Sequence, residues 1–419
     1  MCDMWLNFFR EEHRELTPER KYVVVRLAHC CAKKENVERD SVKALSKKFD
    51  VSDRTVSMAL GWLIKNKYFD RDRGNFSERF TEKYSENEEG RVGEPEPWAK
   101  AIEDLLVKKD ETGLLKCTAR RMFLISLLAH SDQFGVVSDL TLAKLARLLG
   151  RFSKDRHKSQ LNYLRQHGVI IGYQAGFTDG KLFGKKSSRY LLNLAHSAFG
   201  ENETKKVTYQ DVVMFKRGSD FLLGSKLERC VRTFGFAQVP EHAYDFVART
   251  LVGTESIGNV IESLNESQTF FSSEGAAMAL DDYLMRCALN MRLAGVSKID
   301  KTNICQFINT EELLSQSYRR EVEVGLFGGE NNKSVRGSQK SDELLTYVND
   351  VLVSRLTEDE KHGGTEHEKS LSAFGHIVVL ATNFLAKECL MNVDVEQAEF
   401  QTFLLEKGDE IVLRVCGNN

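Results

Sequence analysis

Apolar residues recur at helical spacing in two separated blocks of the chain, and both blocks run through the same order of elements. In the first, Val23, Val24, Leu27, Ala28 and Cys31 fall on one face of a helix that Thr17 can cap and Pro18 can begin. Val42, Leu45 and Phe49 mark the inner face of a shorter helix, and Asp50-Val51 makes a turn whose valine plugs the space between two helices. Ser52 then caps a helix expected to bury Val56, Leu60, Leu63 and Ile64. After Asn66-Lys67-Tyr68-Phe69 the pattern becomes a strand, a Gly74-Asn75 turn and a returning strand.

The second block starts near Cys117 with a helix carrying Met122, Phe123, Ile125, Leu127 and Leu128, which Gln133-Phe134-Gly135 breaks. Thr141 to Gly150 repeats the short helix, Phe152 takes the plug position, and Ser153 caps the next helix, with Leu161 and Leu164 on its inner face. Ser52 and Ser153, Leu60 and Leu161, and Leu63 and Leu164 are each 101 residues apart, which makes the two blocks an internal repeat. His157 stands where Val56 would call for an apolar residue and is read as a satisfied core side chain. A longer hairpin follows over 172–190, where Lys181, Lys185, Lys186 and Arg189 alternate with Phe177, Phe183 and Tyr190 and four glycines are expected to make the tip flexible.

The run from Leu45 to Tyr68, with its apolar plug, capped helix, Leu60-x-x-Leu63 and following hairpin, resembles the winged helix-turn-helix superfamily of DNA-binding domains. The resemblance covers about sixty residues and returns in the second block. It implies two tandem winged-helix domains, each a three-helix core plus a β-wing; with the helical patterns of residues 201–419, the expected fold is mainly α and ends in a mostly helical C-terminal domain. The expected boundaries are 1–80 and 117–200 for the two domains, 81–116 for an acidic linker with a short helix near Trp98 to Val107, and 201–419 for the remainder. The helix from Ser52 then becomes a recognition helix with Asp53, Arg54, Thr55, Ser57 and Met58 outward. Arg54 suits guanine, because a guanidinium meets O6 and N7 together. Ser52 and Thr55 suit phosphate, and Arg71 and Arg73 lie at the first wing. In the second copy Ser153, Lys154, Arg156, Lys158 and Gln160 would face outward, with Lys181, Lys185, Lys186 and Arg189 on the second wing.

Charge sharpens this picture. The formal net charge of −2 over 419 residues is the sum of +9 in residues 1–200 and −11 in 201–419. A basic half suits a polyanion and an acidic half suits something else. With only 4 prolines the chain favours helix. In the acidic half, helices are expected over Tyr209–Phe236, Glu241–Leu251, Ser256–Leu264, Glu274–Leu293, Thr310–Val324, Ser341–Leu356 and Ser370–Met391. Polar loops are expected over 327–340 and 358–369, and a β-hairpin is expected over Phe400–Val415. This half is expected to set oligomeric state, as a homodimer, or to bind a protein or small ligand.

Other chemistry leaves no pattern. The N-terminus has no basic region ahead of an apolar run, and Ala373 to Ala386 is too short to span a bilayer, so a cytoplasmic protein without membrane contact is expected. Nine cysteines show no Cys-x-x-Cys and are expected to be thiols. No phosphate-binding glycine loop and no His-Glu-x-x-His occurs. His362, Glu366, His367 and Glu368 are read as part of a charged loop rather than a metal site. No enzyme, cofactor or metal is therefore expected. The functional expectation is a sequence-specific double-stranded DNA-binding protein in transcriptional regulation. The alternatives are a plasmid or mobile-element replication initiator, to which tandem winged helices bear an architectural similarity, and an effector whose C-terminal half carries an unrecognised enzymatic site.

Overall fold

The computed structural model describes residues 4–33, 35, 41–70, 74–85, 98–108, 113–199, 207–216, 222–234, 257–271, 273–294, 309–315, 366–386, 400–407 and 410–418. Over these the chain is mainly helical, with small antiparallel sheets. It forms two compact units. The first comprises residues 1–174 and 187–208, and the second comprises 175–186 and 209–418. Both repeats and the helix between them thus share one unit, and the tip of the second hairpin belongs to the other.

In the first unit, α1 (Met4–Arg10) buries Trp5, Leu6, Phe8 and Phe9. α2 (Pro18–Ala32) starts as expected, with the Thr17 hydroxyl accepting from the Arg20 N–H and proline in the first turn. α3 (Val42–Phe49) is capped by Ser41 and stops at Asp50, which adopts a left-handed φ of 54°. α4 (Asp53–Lys65) is capped by Ser52 and packs on α2 and α3 through Val56, Ala59 and Leu63. Leu60 is only half-buried, and Ile64 is 41% exposed, against expectation, because they lie progressively off the face that Val56, Ala59 and Leu63 turn to the core. β1 (Phe69–Asp70) pairs with β2 (Asn75–Phe76), and α5 (Glu78–Ser85) follows. α1 and α5 close an aromatic cluster of Phe8, His13, Trp62, Tyr68, Phe80 and Tyr84.

The helix of the linker, α6 (Ala99–Val107), is cemented rather than tethered. Its last carbonyls accept from Tyr22 Oη and Arg26 Nη1 at Leu106 (3.2 and 3.1 Å) and from Arg121 Nη1 at Leu105 and Lys108 (3.3 and 2.9 Å). Cations at a helix C-terminus meet both the orphan carbonyls and the negative end of the dipole. Glu103 on the same helix pairs with His29 and Lys33.

The second repeat runs α7 (Thr118–Leu128), β3 (Val136–Val137), α8 (Leu142–Leu149), α9 (Lys154–Gln166), β4 (Ile170–Gln174), the hairpin β5 (Phe177–Thr178) and β6 (Lys185–Lys186), then β7 (Arg189–Leu192). The strands β3, β7 and β4 form one antiparallel sheet with β7 in the centre. Thr141 and Ser153 cap α8 and α9 through their hydroxyls. The two repeats meet tightly. Lys21 on α2 is fully buried and donates to the carbonyls of Glu11 and Leu148 (2.6 and 2.5 Å), and Arg147 pairs with Glu12 at 2.7 Å.

In the second unit, 209–216 is strand rather than helix. It forms most of β8 (Val207–Lys216), where the valines and aromatics suit a pleated surface better than a helix. α10 (Leu223–Phe234), α11 (Ile257–Ser267), α12 (Glu274–Leu293), one turn of α13 (Thr310–Leu313) and α14 (Glu366–Phe384) follow, and β9 (Phe400–Lys407) and β10 (Glu410–Asn418) form the expected hairpin, with β10 central between β8 and β9. The helix expected over Ser370–Met391 begins four residues earlier, so Glu366, His367 and Glu368 lie in its first turn and not in a loop. The expected helices Glu241–Leu251 and Ser341–Leu356, His362 and most of the expected polar loops lie outside the described residues. Asp281 is fully buried on α12. It accepts from Gly224 N (2.7 Å), Ser225 N (3.1 Å) and Ser225 Oγ (2.5 Å), so it holds the start of α10, and burial pushes its carboxyl up to about 7 despite these donors. No described helix is long and apolar enough to cross a membrane, and among the described residues no group of three or more His, Cys, Asp or Glu is arranged to hold a metal ion.

Candidate nucleic-acid interface

The first candidate surface is the outer face of α4. Ser52 is exposed, and its hydroxyl accepts from Thr55 N (3.2 Å) and lies 2.8 Å from Thr55 Oγ1, so both hydroxyls sit at the positive end of the helix. Arg54 and Ser57 are exposed and Thr55 is half-buried. Met58 is exposed as expected, and Arg20 Nη2 on α2 reaches its sulfur at 2.9 Å. Arg71 and Arg73 lie outside the described residues.

The second candidate surface is the outer face of α9, where Ser153, Lys154 and Lys158 are exposed together with Ser159, Asn162 and Arg165. Two expected contacts are committed elsewhere. Arg156 pairs with Glu19 at the start of α2, which holds that carboxylate below its usual range against the opposing effect of burial. Gln160 is buried rather than outward: its Oε1 accepts from Arg120 Nε at 2.9 Å, and the Arg120 guanidinium lies 3.3 Å from the Tyr163 ring centre. Neither partner is close in sequence, so only the three-dimensional arrangement reveals the clamp. His157 is the core side chain anticipated. Burial pushes its imidazole below the usual range, which favours the neutral form, and its Nε2 sits 3.0 Å from Tyr190 Oη.

Glu19 and Arg20 are neighbours at the start of α2. One pairs with the first turn of α9 and the other touches the second turn of α4. The two candidate helices therefore flank the same helix end within one unit.

The second hairpin departs furthest from expectation. Arg189 stays in the first unit, donating to Gln174 Oε1 at 3.1 Å. The tip is built into the second unit instead of reaching into solvent as a flexible loop. Asp179 Oδ1 accepts from the N–H groups of Lys181 and Leu182, both at 2.8 Å. Leu182 is fully buried and bridges Leu314, Phe183 N donates to Leu313 O at 2.8 Å, and Ser315 N donates to Lys181 O at 2.7 Å. Phe183 adopts a φ of 57°, a conformation a bulky residue takes only under constraint. The Lys181 ammonium donates to Thr269 Oγ1 at 2.6 Å and lies 5.0 Å from the Phe270 ring centre. Lys185 and Lys186 remain exposed, the latter 5.8 Å from the Phe183 ring centre.

Comparison with protein-family models, with curated proteins and with solved structures yields no match to this chain.

Proposed function

We propose that this protein binds double-stranded DNA sequence-specifically through two tandem winged helices and acts in transcriptional regulation. The observation that carries this reading is the repeat: a short helix, a tight turn, a hydroxyl-capped second helix and a β-hairpin, twice, with the two capped helices 101 residues apart. Both second helices keep the hydroxyl cap and a cation of the first turn exposed. Lys154 at the start of α9 opposes the helix dipole and so weakens the isolated helix. A phosphate placed there gains from both the dipole and the lysine. Arg54 and the Ser52 and Thr55 hydroxyls offer the same combination on α4, with Arg54 reading guanine.

The shared contact of both helices with the start of α2 favours a single composite reader with fixed spacing over two heads on a flexible tether. Homodimerisation through the acidic second unit would pair two such readers about a two-fold axis and favour palindromic sites. Selection of bound duplexes from a random pool, followed by footprinting and a genome-wide binding map, tests the reading. Promoter sites mean a regulator, clustered repeats near an origin mean a replication initiator, and failure to enrich any sequence overturns DNA recognition. On the selected site Arg54→Ala is expected to cost about 1–3 kcal/mol and to relax one or two base positions. Unchanged specificity would remove Arg54 from the reading surface.

A further inference from the structure

Gly61 sits in the third turn of α4, in helical conformation and on its exposed face. A glycine inside an exposed helix weakens it relative to alanine. At Gly224 the packing explains the choice: a Cβ there would come within 2.5 Å of the Ala277 carbonyl oxygen. A Cβ on Gly61 meets nothing within 4 Å. Among the described residues nothing requires glycine there.

The surroundings suggest what does. Arg54, Met58, Gly61 and Lys65 follow one another along a single line of the helix, at the spacing of successive turns. Arg54 and Lys65 are exposed at its two ends, and Arg20 approaches from α2 to touch Met58. Among the described residues three large apolar side chains are exposed, and two of them, Met58 (39%) and Ile64 (41%), border Gly61. The helix thus presents a strip of bare backbone between two apolar side chains, framed by cations. The cations select a polyanion as occupant. A missing side chain lets another surface come up against the helix backbone, and an apolar side chain beside an arginine suits the methyl group of thymine next to a guanine.

We propose that Gly61 is the point of closest approach at which α4 seats against duplex DNA, with Met58, steadied by Arg20, packed on a thymine methyl. This rests on the DNA-binding reading given above. The test uses the full-length chain and the duplex selected by the wild type. Gly61→Ala and the bulkier Gly61→Leu are expected to keep or raise the melting temperature read from tryptophan fluorescence. Affinity is expected to fall about tenfold or more for alanine and further for leucine. Met58→Ala is expected to lose the preference for thymine at one position while keeping the rest of the site.

A stability gain with a binding loss is the signature of an intermolecular contact, since a residue needed only for folding would move both the same way. If the wild type selects no sequence, the DNA-binding reading and this proposal both fall. If it selects a site and Gly61→Leu binds that site as tightly as wild type, the proposal alone is overturned. If Gly61→Leu leaves DNA affinity intact and instead abolishes self-association measured by light scattering, the strip is a protein contact and the proposal is likewise overturned.

Discussion

Gly150→Ala is expected to unfold or nearly unfold the first unit. Gly150 follows α8 with a φ of 64° and a ψ of 134°, a region that residues with a Cβ scarcely enter. A Cβ built there would collide with the Leu16 carbonyl oxygen and come within 2.7 Å of the His13 carbonyl oxygen. Both obstacles are backbone, so no side-chain rotation relieves them. Backbone strain and overpacking together cost about 3–5 kcal/mol, a large share of the roughly 5–15 kcal/mol that holds a domain together. All three tryptophans, Trp5, Trp62 and Trp98, lie in the first unit, so urea unfolding followed by tryptophan fluorescence reads its stability alone. Wild-type stability for Gly150→Ala would show that the two repeats do not meet at this point.

Lys21→Met is expected to destabilise the same unit by an amount that grows with pH. Burial pushes the Lys21 ammonium down to about 7 from an ordinary 10.5, with Glu11 and Glu12 pulling the other way. Between those values the unfolded chain binds the extra proton and the folded chain does not, so this group makes stability rise as pH rises from about 7 to about 10. The neutral amine still has two N–H groups for its two carbonyl partners, which explains how a lysine persists here. Methionine fills the same space without donors and without titrating. It leaves two buried carbonyls unpaired at roughly 1–3 kcal/mol each.

Wild type and Lys21→Met should therefore differ by a few kcal/mol at pH 9 and by less at pH 6, where the wild-type lysine carries its burial penalty. A gap constant across this range would mean that Lys21 keeps its proton in the fold. A separate acid limb is expected from His13. It is stacked on Phe8 at 4.2 Å, its Nε2 has no hydrogen-bond partner, and burial together with Lys21 and Lys83 pushes it down to about 3. The folded chain refuses a proton that the unfolded chain takes up, so this contribution to stability is lost as pH falls from 6.5 toward 3.

The sequence disclosed what is local. Caps at Thr17, Ser52 and Ser153 and the break at Gly135 depend on hydrogen bonds within four residues, so α2, α4, α9 and the end of α7 were readable. Helical periodicity also placed Val56, Leu63, Leu161 and Leu164 on inner faces. Long-range partners were not readable. Arg156 looks solvent-facing by helical position, yet Glu19, 137 residues away, decides its environment; Gln160 shares the face of His157 and Leu164, but its partner Arg120, 40 residues away, leaves no local sign. The strand β8 resembles a helix in sequence because its partner, β10, lies some two hundred residues on, as the Arg414–Asp211 pair between them shows. The lysines of the second hairpin looked like a free basic loop because Leu182 and Phe183 gave no local sign of the core they join.

That hairpin also decides how the protein can be taken apart. The chain leaves the first unit at residue 174, returns at 187 and leaves again after 208, so neither unit is a continuous segment. A fragment ending at 208 would carry Leu182 and Phe183 without Leu313, Leu314 and Tyr283, which cover them in the whole chain. Its apolar tip would seek a substitute, and aggregation of such a fragment would report a missing cover rather than an unstable reader. A dissection that respects the topology replaces 175–186 with a short polar turn joining β4 to β7, two strands already paired from Ile170 to Leu192. During synthesis the same topology means the hairpin waits for more than a hundred further residues before its apolar side chains find their place.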